Sequence, residues 1–395
     1  MGTSALQREL DRFFKELSQG TFNVRKITKG GFSQARKNLK AEAFLELNDI
    51  VCTEFYQEMD YIGYKNHRLL AADGSRVVLP DHSSIIKEFG SNGFGPKGDS
   101  DKSMAILSLL YDPVNGLALD AQITGFSGGG SEHDLLLKHL EKVNSGDLLL
   151  MDRGYPNKGF FSLLGQKGIH FCVRMKATWW KDVRAFSESN EEDIEVTFEL
   201  SEKELDKYRE DYPELPATVR SRLVKVKLDT GETEILCTSL LDKQIYPIED
   251  FKELYHCRWG VEEGCFKMLK SRVNLEAFTG KTALAVKQDI FAKVFMMSLC
   301  AAYAFPIDEK IKKEYEKAKK QGEKHSKYKQ KINRTNAISN IKNIIIPLFL
   351  RQMVKESIIA FDNIVYRTQE IIRPDRKFPR NHKPNREYYM NYKHL

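Results

Sequence analysis

The sequence predicts an α/β protein: a mixed sheet with helices on both faces, interrupted by a β-rich insertion, with helical N-terminal and basic C-terminal regions. Three observations carry this. Apolar residues recur at helical spacing up to about residue 65 and then shift towards strand-like runs. Short apolar runs follow one another, separated by turn residues and by two helical segments. One run, residues 147–151 (DLLLM), is apolar at successive positions, as suits a strand covered on both faces.

Taken in order, Leu6, Leu10, Phe13 and Phe14, and later Phe44, Leu45, Leu47, Ile50 and Val51, lie at helical spacing. Lys29-Gly30-Gly31 is expected to break the pattern, with Ser33 capping a new helix. The basic stretch 33–40 (SQARKNLK) faces either phosphates or solvent. Residues 69–79 read as a strand, bent or ending near Gly74. Residues 104–111 are a second strand, 112–116 (DPVNG) a turn, and 117–123 a third strand. After Gly128-Gly129-Gly130, Ser131 is expected to cap a helix running to about Val143. Residues 147–151 are the fourth strand, 158–166 a helix and 169–175 another strand. A long helix is expected over 250–273.

This succession of three strands, helix, strand, helix, strand and a late helix is the order of the ribonuclease H fold. Residues 179–245 interrupt it with an acidic stretch and two strand-like runs, 222–228 and 234–238. These flank Asp229-Thr230-Gly231-Glu232, a hairpin signal. The expected organisation is therefore an N-terminal helical region (1–65), a first core part (66–178), the insertion (179–245), a last core part (246–305) and a basic C-terminal region (306–395).

Charge narrows the partners. The net charge is +7, but residues 306–395 carry +12 and the preceding 305 residues −5. A basic end on a mildly acidic body fits a polyanion such as nucleic acid, and equally a solvated lysine-rich helix. The six cysteines are scattered without a CxxC pair, which excludes zinc-finger spacing and suggests free thiols in a reducing cytoplasm. The charged, amphipathic N-terminus has no signal-peptide core. No window is read as approaching the roughly 18 apolar residues that span a membrane, so no membrane partner is expected.

Chemistry points to three acids. Asp73 lies on the first strand and Asp152 directly after the fourth, and in such a sheet these strands are neighbours. Two converging carboxylates repel each other, and divalent cations relieve the conflict. Magnesium suits hard oxygen ligands, and a pair of ions about 3.5–4 Å apart serves phosphodiester chemistry. Each aspartate taken alone fits a loop or cap equally well. On a helix, Tyr255, Arg258 and Glu262 are spaced i, i+3, i+7 and share one face, with Phe266 a turn further. An acid, a guanidinium and a phenol on one face can hold a metal and grip a phosphate; a solvated Arg258–Glu262 ion pair is the plainer reading.

These residues resemble the YREK signature of DDE transposases of the bacterial insertion sequence 4 family. Tyr255, Arg258 and Glu262 meet Tyr-x2-Arg-x3-Glu, and Arg258-Trp259-Gly260-Val261-Glu262 is similar to that family's Arg-Trp-x-aliphatic-Glu run. Asp73 in AADGSRVVLP resembles the first catalytic segment and Asp152 in LLLMDRGYPN the second. The segment RKFPR, from Arg376 to Arg380, is similar to one common there. The resemblance spans about residues 30 to 390. It departs at one point: the family's lysine stands seven residues after the glutamate, where this chain has Leu269, with Lys270 next. Counting back from Lys270 nominates Glu263. Helix geometry favours Glu262, because Glu263 lies about 100° round from it and Lys270 about 80° from the ideal direction. A local helical bulge would also reconcile the spacing.

The resemblance implies an enzyme with Asp73, Asp152 and Glu262 as catalytic residues and ligands of two magnesium ions, manganese substituting. It implies cut-and-paste transposition: hydrolysis at each transposon end, attack of the freed 3′-hydroxyl on the other strand to form a hairpin, then attack on target DNA. Tyr255, Arg258 and Lys270 would hold the DNA backbone, and Arg153, Arg174 and Trp259 are further candidate DNA contacts. Double-stranded DNA, a homodimer on the DNA and a cytoplasmic, nucleoid-associated bacterial setting are the expected surroundings. Trp179 and Trp180 could stack on an unpaired base or lie in the core. His133 and Asp134 read as capping or surface residues, and nothing requires His82 at the site. A ribonuclease-H-like nuclease without strand transfer, and a domesticated DNA-binding protein without catalysis, are the alternatives.

Overall fold

The computed structural model describes residues 5–94, 100–126, 132–228, 231–323 and 326–372. Three N-terminal helices, α1 (Leu6–Leu17), α2 (Lys29–Ala35) and α3 (Ala43–Glu58), precede strand β1 (Leu69–Val78). Helix α4 (Ser83–Phe89) and the small ribbon of β2 (Asn92–Phe94) and β3 (Ser100–Lys102) lead to β4 (Met104–Asp112) and β5 (Leu117–Gly125). Then come α5 (Glu132–His139), β6 (Leu148–Met151), α6 (Lys158–Gln166) and β7 (His170–Met175). The next stretch holds α7 (Lys181–Glu188), β8 (Asp193–Glu199), α8 (Glu202–Arg209), β9 (Thr218–Lys227) and β10 (Thr233–Thr238). Helix α9 (Asp250–His256), a π-helix over Gly260–Phe266 and α10 (Lys267–Ser271) follow, then the 39-residue α11 (Ala283–Gln321). Strand β11 (Gln330–Ile332), α12 (Arg334–Ile345), α13 (Val354–Arg367) and β12 (Gln369–Ile371) end the described chain.

Eight strands form one sheet in the order β5-β4-β1-β6-β7-β10-β9-β8. β5, β4 and β1 are antiparallel neighbours, while β1, β6 and β7 run parallel. This is the ribonuclease-H-like mixed sheet that the element order predicts. Strand alternation sends Leu69, Ala71, Leu148, Leu150 and Cys172 to one face, against Leu254, Tyr255, Phe266 and Leu269 of the site helices and Val286 and Ile290 of α11. Leu70, Ala72, Leu149, Met151, Phe171 and Val173 point to the other, against Phe55 of α3, Leu136 of α5 and Phe160 and Phe161 of α6. All four residues of β6 are fully buried, which is why that strand reads as an unbroken apolar run.

The β-rich segment does not fold into a sheet of its own. β10 pairs antiparallel with β7, and β9 and β8 continue outward. Trp180 packs edge-on against Phe161 and Phe198, so it belongs to the core; Trp179 is 43% exposed, with the Lys176 ammonium 4.1 Å from its ring centre.

Several expectations need correction. Lys29-Gly30-Gly31 does not break a helix but opens α2, because the Thr28 side chain accepts the Gly31 N–H. Arg36, in the basic stretch read as facing phosphates or solvent, turns inward: it donates to Gln288 Oε1, Thr279 Oγ1, the Ala285 carbonyl and Asp289 Oδ1 at 2.6–3.1 Å, tying the N-terminal helices to α11. The reading that no window suits a membrane fails for α11. That helix has an 18-residue window apolar enough by length and composition, of which 61% is buried inside the protein, against elements such as α3 and β5. The single helix expected over 250–273 is broken by a turn at Cys257-Arg258 and by the π-helix. The Ser131 cap and the tail from Arg373, with Arg376 to Arg380, lie outside the described residues.

Candidate active site

The parallel pairing of β1 and β6 aligns Leu69 with Leu148, Leu70 with Leu149 and Ala71 with Leu150. The same register carried two residues further sets Asp73 level with Asp152, and neighbouring strands lie about 4.8 Å apart. β6 stops at Met151 whereas β1 continues, so the two aspartates stand at the mouth of the sheet on the face covered by the site helices. Each carboxylate also caps its own turn: Asp73 Oδ1 accepts the Gly74 N–H at 2.8 Å and Asp152 Oδ1 the Gly154 N–H at 2.6 Å.

Glu262 comes over this edge from the π-helix. Arg258 links it to the first aspartate: Nη1 lies 3.0 Å from Glu262 Oε1 and 3.9 Å from Asp73 Oδ2. Arg258 is 2% exposed, and its guanidinium carbon lies 4.4 Å from the Trp259 ring centre. Tyr255 is 4% exposed and donates its hydroxyl to the Met151 carbonyl at 3.2 Å, fixing the residue before Asp152. The sequence resemblance makes both candidate DNA contacts. Both are almost wholly buried, Tyr255 bonded to the Met151 carbonyl and Arg258 to Glu262, with Arg258 Nε left without a partner among the described residues.

Lys270 is where the helical irregularity matters. A π turn closes i to i+5 bonds and so takes up one residue more than an α turn. That residue absorbs the extra position between Glu262 and the lysine. Leu269 is fully buried, whereas Lys270 is exposed, and its Nζ reaches Ser75 Oγ at 2.7 Å and the Arg76 carbonyl at 2.8 Å. Asp73, Gly74, Ser75, Glu262, Phe266, Lys267 and Lys270 line one open cleft. Gly260 permits the arrangement, since a Cβ there would come within 2.6 Å of Pro113.

Of the remaining candidates, Arg153 is exposed in the turn after Asp152. Arg174 is half-buried on β7 and paired with Glu234 of β10, so its charge is already answered. Sequence reasoning passed over Glu132, whose carboxylate lies against Gly74, and Tyr155, buried behind Asp152. The only linear signals were the acid opening α5 and the tyrosine that ends Asp152-Arg153-Gly154-Tyr155.

The electrostatics favour a cation. Burial, and next the charge of Glu262, push the Asp73 carboxyl up to about 7; Arg258 and the Gly74 N–H pull down, and Asp152 adds a further rise. An all-oxygen, acid-rich donor set of this kind fits a hard divalent ion. As the side chains stand, no three acid, histidine or cysteine groups among the described residues surround one point, because Glu262 is turned onto Arg258. Holding an ion between all three therefore requires the Glu262 side chain, 41% exposed, to swing off that guanidinium.

A mixed sheet that presents two level aspartates and a glutamate from a late helix defines a class of acid-centred α/β proteins. The sequence pattern of one family, described as the transposase DDE domain, matches residues 64–300, and this chain belongs to that family. Among curated proteins, none matches. A solved cryo-EM structure, a piggyBac transposase synaptic complex with hairpin DNA, is similar at 11% identity and a TM-score of 0.41. The similarity covers 86% of this chain and 65% of that one.

Proposed function

We propose that this chain is a DNA transposase that cuts and joins strands at insertion-sequence ends, with Asp73, Asp152 and Glu262 as its catalytic, metal-holding carboxylates. The observation that carries the reading is the level placement of Asp73, on β1, and Asp152, just past the end of the adjacent parallel β6, with Glu262 tied to Asp73 through Arg258. Magnesium, bound as a pair of ions, would supply activation of the attacking oxygen and stabilisation of the leaving oxygen of a phosphodiester. The protein's own part is positioning. Tyr255 holds the end of β6, and Arg258 keeps the acids from repelling one another before the ions arrive. Lys267 and Lys270 border the cleft and offer charge to backbone phosphates.

The same reading makes double-stranded DNA the substrate, a homodimer the active form on two ends, and the chromosome of a bacterial cell the setting. The N-terminal helices and the basic region from residue 306 are the proposed end-binding surfaces. Specific placement in the insertion sequence 4 family rests on Tyr255, Arg258 and Glu262, with the π turn accounting for the displaced Lys270.

The test is incubation with the DNA that flanks the gene, in magnesium, followed by mapping of cleaved and joined ends. Cleavage lost in Asp152→Asn with DNA binding retained supports the assignment; unchanged cleavage removes it. Cleavage without joined products would instead favour a ribonuclease-H-like nuclease, and binding without cleavage a domesticated DNA-binding protein.

A further inference from the structure

Helix α5 starts with Glu132, and its carboxylate lies against the sheet edge on the face opposite the site helices. A Cβ placed on Gly74, the residue after Asp73, would stand 3.0 Å from Glu132 Oε1 and 3.2 Å from its Cδ. A side chain at 74 would therefore displace this acid, and glycine leaves room for it. Burial raises the pKa of Glu132, the charge of Asp152 raises it further, and Arg76 opposes both.

A second, independent observation comes from Tyr155. It is 1% exposed, and its buried hydroxyl has no hydrogen-bond partner among the described residues. Orphaned buried hydroxyls are uncommon and ask for an explanation. Burial above all keeps this phenol protonated, and the charges of Glu132, Asp73 and Asp152 act in the same direction, against Arg258. An unpartnered buried donor close behind Asp152 has a use when a neighbouring carboxylate is drawn in.

We propose that Glu132 is a fourth carboxylate of the divalent-cation site, reaching Asp152 from the far face of the sheet, and that Tyr155 is the positioning residue whose hydroxyl donates to it. The inference rests on the acid-centred reading given above. It differs from that reading in assigning an ion-holding acid to α5, an element that contributes nothing to Asp73, Asp152 or Glu262.

The experiment is manganese(II) binding to the full chain without DNA, followed by the paramagnetic resonance signal of the free ion. Glu132→Gln should weaken binding about tenfold or more, and Glu132→Asp should restore part of it. Gly74→Ala, which keeps every carboxylate, should weaken binding by displacing Glu132. Tyr155→Phe should weaken it less, and the Glu132→Gln/Tyr155→Phe pair should lose no more than Glu132→Gln alone, as coupled residues do. Thermal unfolding of each variant checks that the fold persists. Wild-type manganese affinity in Glu132→Gln and Gly74→Ala, with binding lost in Asp152→Asn, overturns this proposal and leaves the three-acid site standing. No binding by the wild-type chain, or binding indifferent to Asp152→Asn, overturns both.

Discussion

Lys270 donates from Nζ to Ser75 Oγ at 2.7 Å, tying the end of the site helices to the strand that carries Asp73. The contact places a cation at the rim of the acidic cleft, eight positions after Glu262. If the ammonium also meets a DNA phosphate, Lys270→Gln should weaken end binding and lower the slope of log affinity against log salt by about 1. Titrations at several salt concentrations check this. An unchanged slope would reduce Lys270 to a structural tie between α10 and β1.

If Glu262 is the third carboxylate, it and its neighbour Glu263 should differ in their effect on cleavage. Glu262→Gln should depress strand cleavage by several kcal/mol of barrier, on the order of 10³-fold. Glu263→Gln should leave cleavage within a few-fold of wild type. Single-turnover rates on a labelled transposon end distinguish the two, and the reverse ranking would transfer the role to Glu263.

Asp73 predicts a pH effect on the metal-free chain. Its carboxyl is pushed from 3.8 to about 7 by burial and by Glu262, so the folded state holds the proton more tightly than the unfolded state. Folding is then favoured as pH falls from about 7 towards about 4, and the charged form penalises the fold above 7. Asp73→Asn should raise stability in chelator above pH 7 by up to about 4 kcal/mol and change little below about pH 4. Urea unfolding across that range measures it; a destabilised variant at pH 8 contradicts the idea of mutual carboxylate repulsion.

Tyr255 is expected to matter more for catalysis than for stability. Tyr255→Phe removes one hydrogen bond to the Met151 carbonyl and keeps the ring, at a cost of about 1 kcal/mol. Because Met151 precedes Asp152, cleavage should fall by more than that cost explains. Parallel measurements of the unfolding midpoint and the cleavage rate test the split.

Asp120, His139 and Ser108 form a buried chain between β5, α5 and β4, at 2.7 Å from Asp120 Oδ2 to His139 Nδ1 and 2.9 Å from Nε2 to Ser108 Oγ. His139 and Ser108 are fully buried, so this serine–histidine–aspartate set has no route to a substrate and serves the core. Burial by itself would raise the pKa of Asp120, but its hydrogen bond to His139 and that ring's charge outweigh burial and hold it below the usual carboxylate value of 3.8. Its contribution is present above about pH 4 and is lost as pH falls further. Asp120→Ala should cost roughly 3 kcal/mol near neutral pH and progressively less in acid, read as the shift in the denaturant midpoint.

The strands that hold Asp73 and Asp152 were legible because apolar runs and turn residues are local properties, and β6, buried on both faces, cannot hide its pattern. Helix α6 was legible for the same reason, with Asn157 as its cap. The family pattern also marked Asp73, Asp152 and Glu262, since residue type and chain order suffice for it. Tertiary structure alone decided what each neighbour does. Arg36 looks like a surface cation until its partners arrive from some 250 positions along the chain, and Tyr255 and Arg258 look like ligand contacts until packing removes their surface. The π turn that returns Lys270 to the cleft, and the approach of Glu132 to Gly74 across the sheet, depend on contacts between distant segments. Such contacts leave no period in the chain, because they are set by which faces the fold brings together.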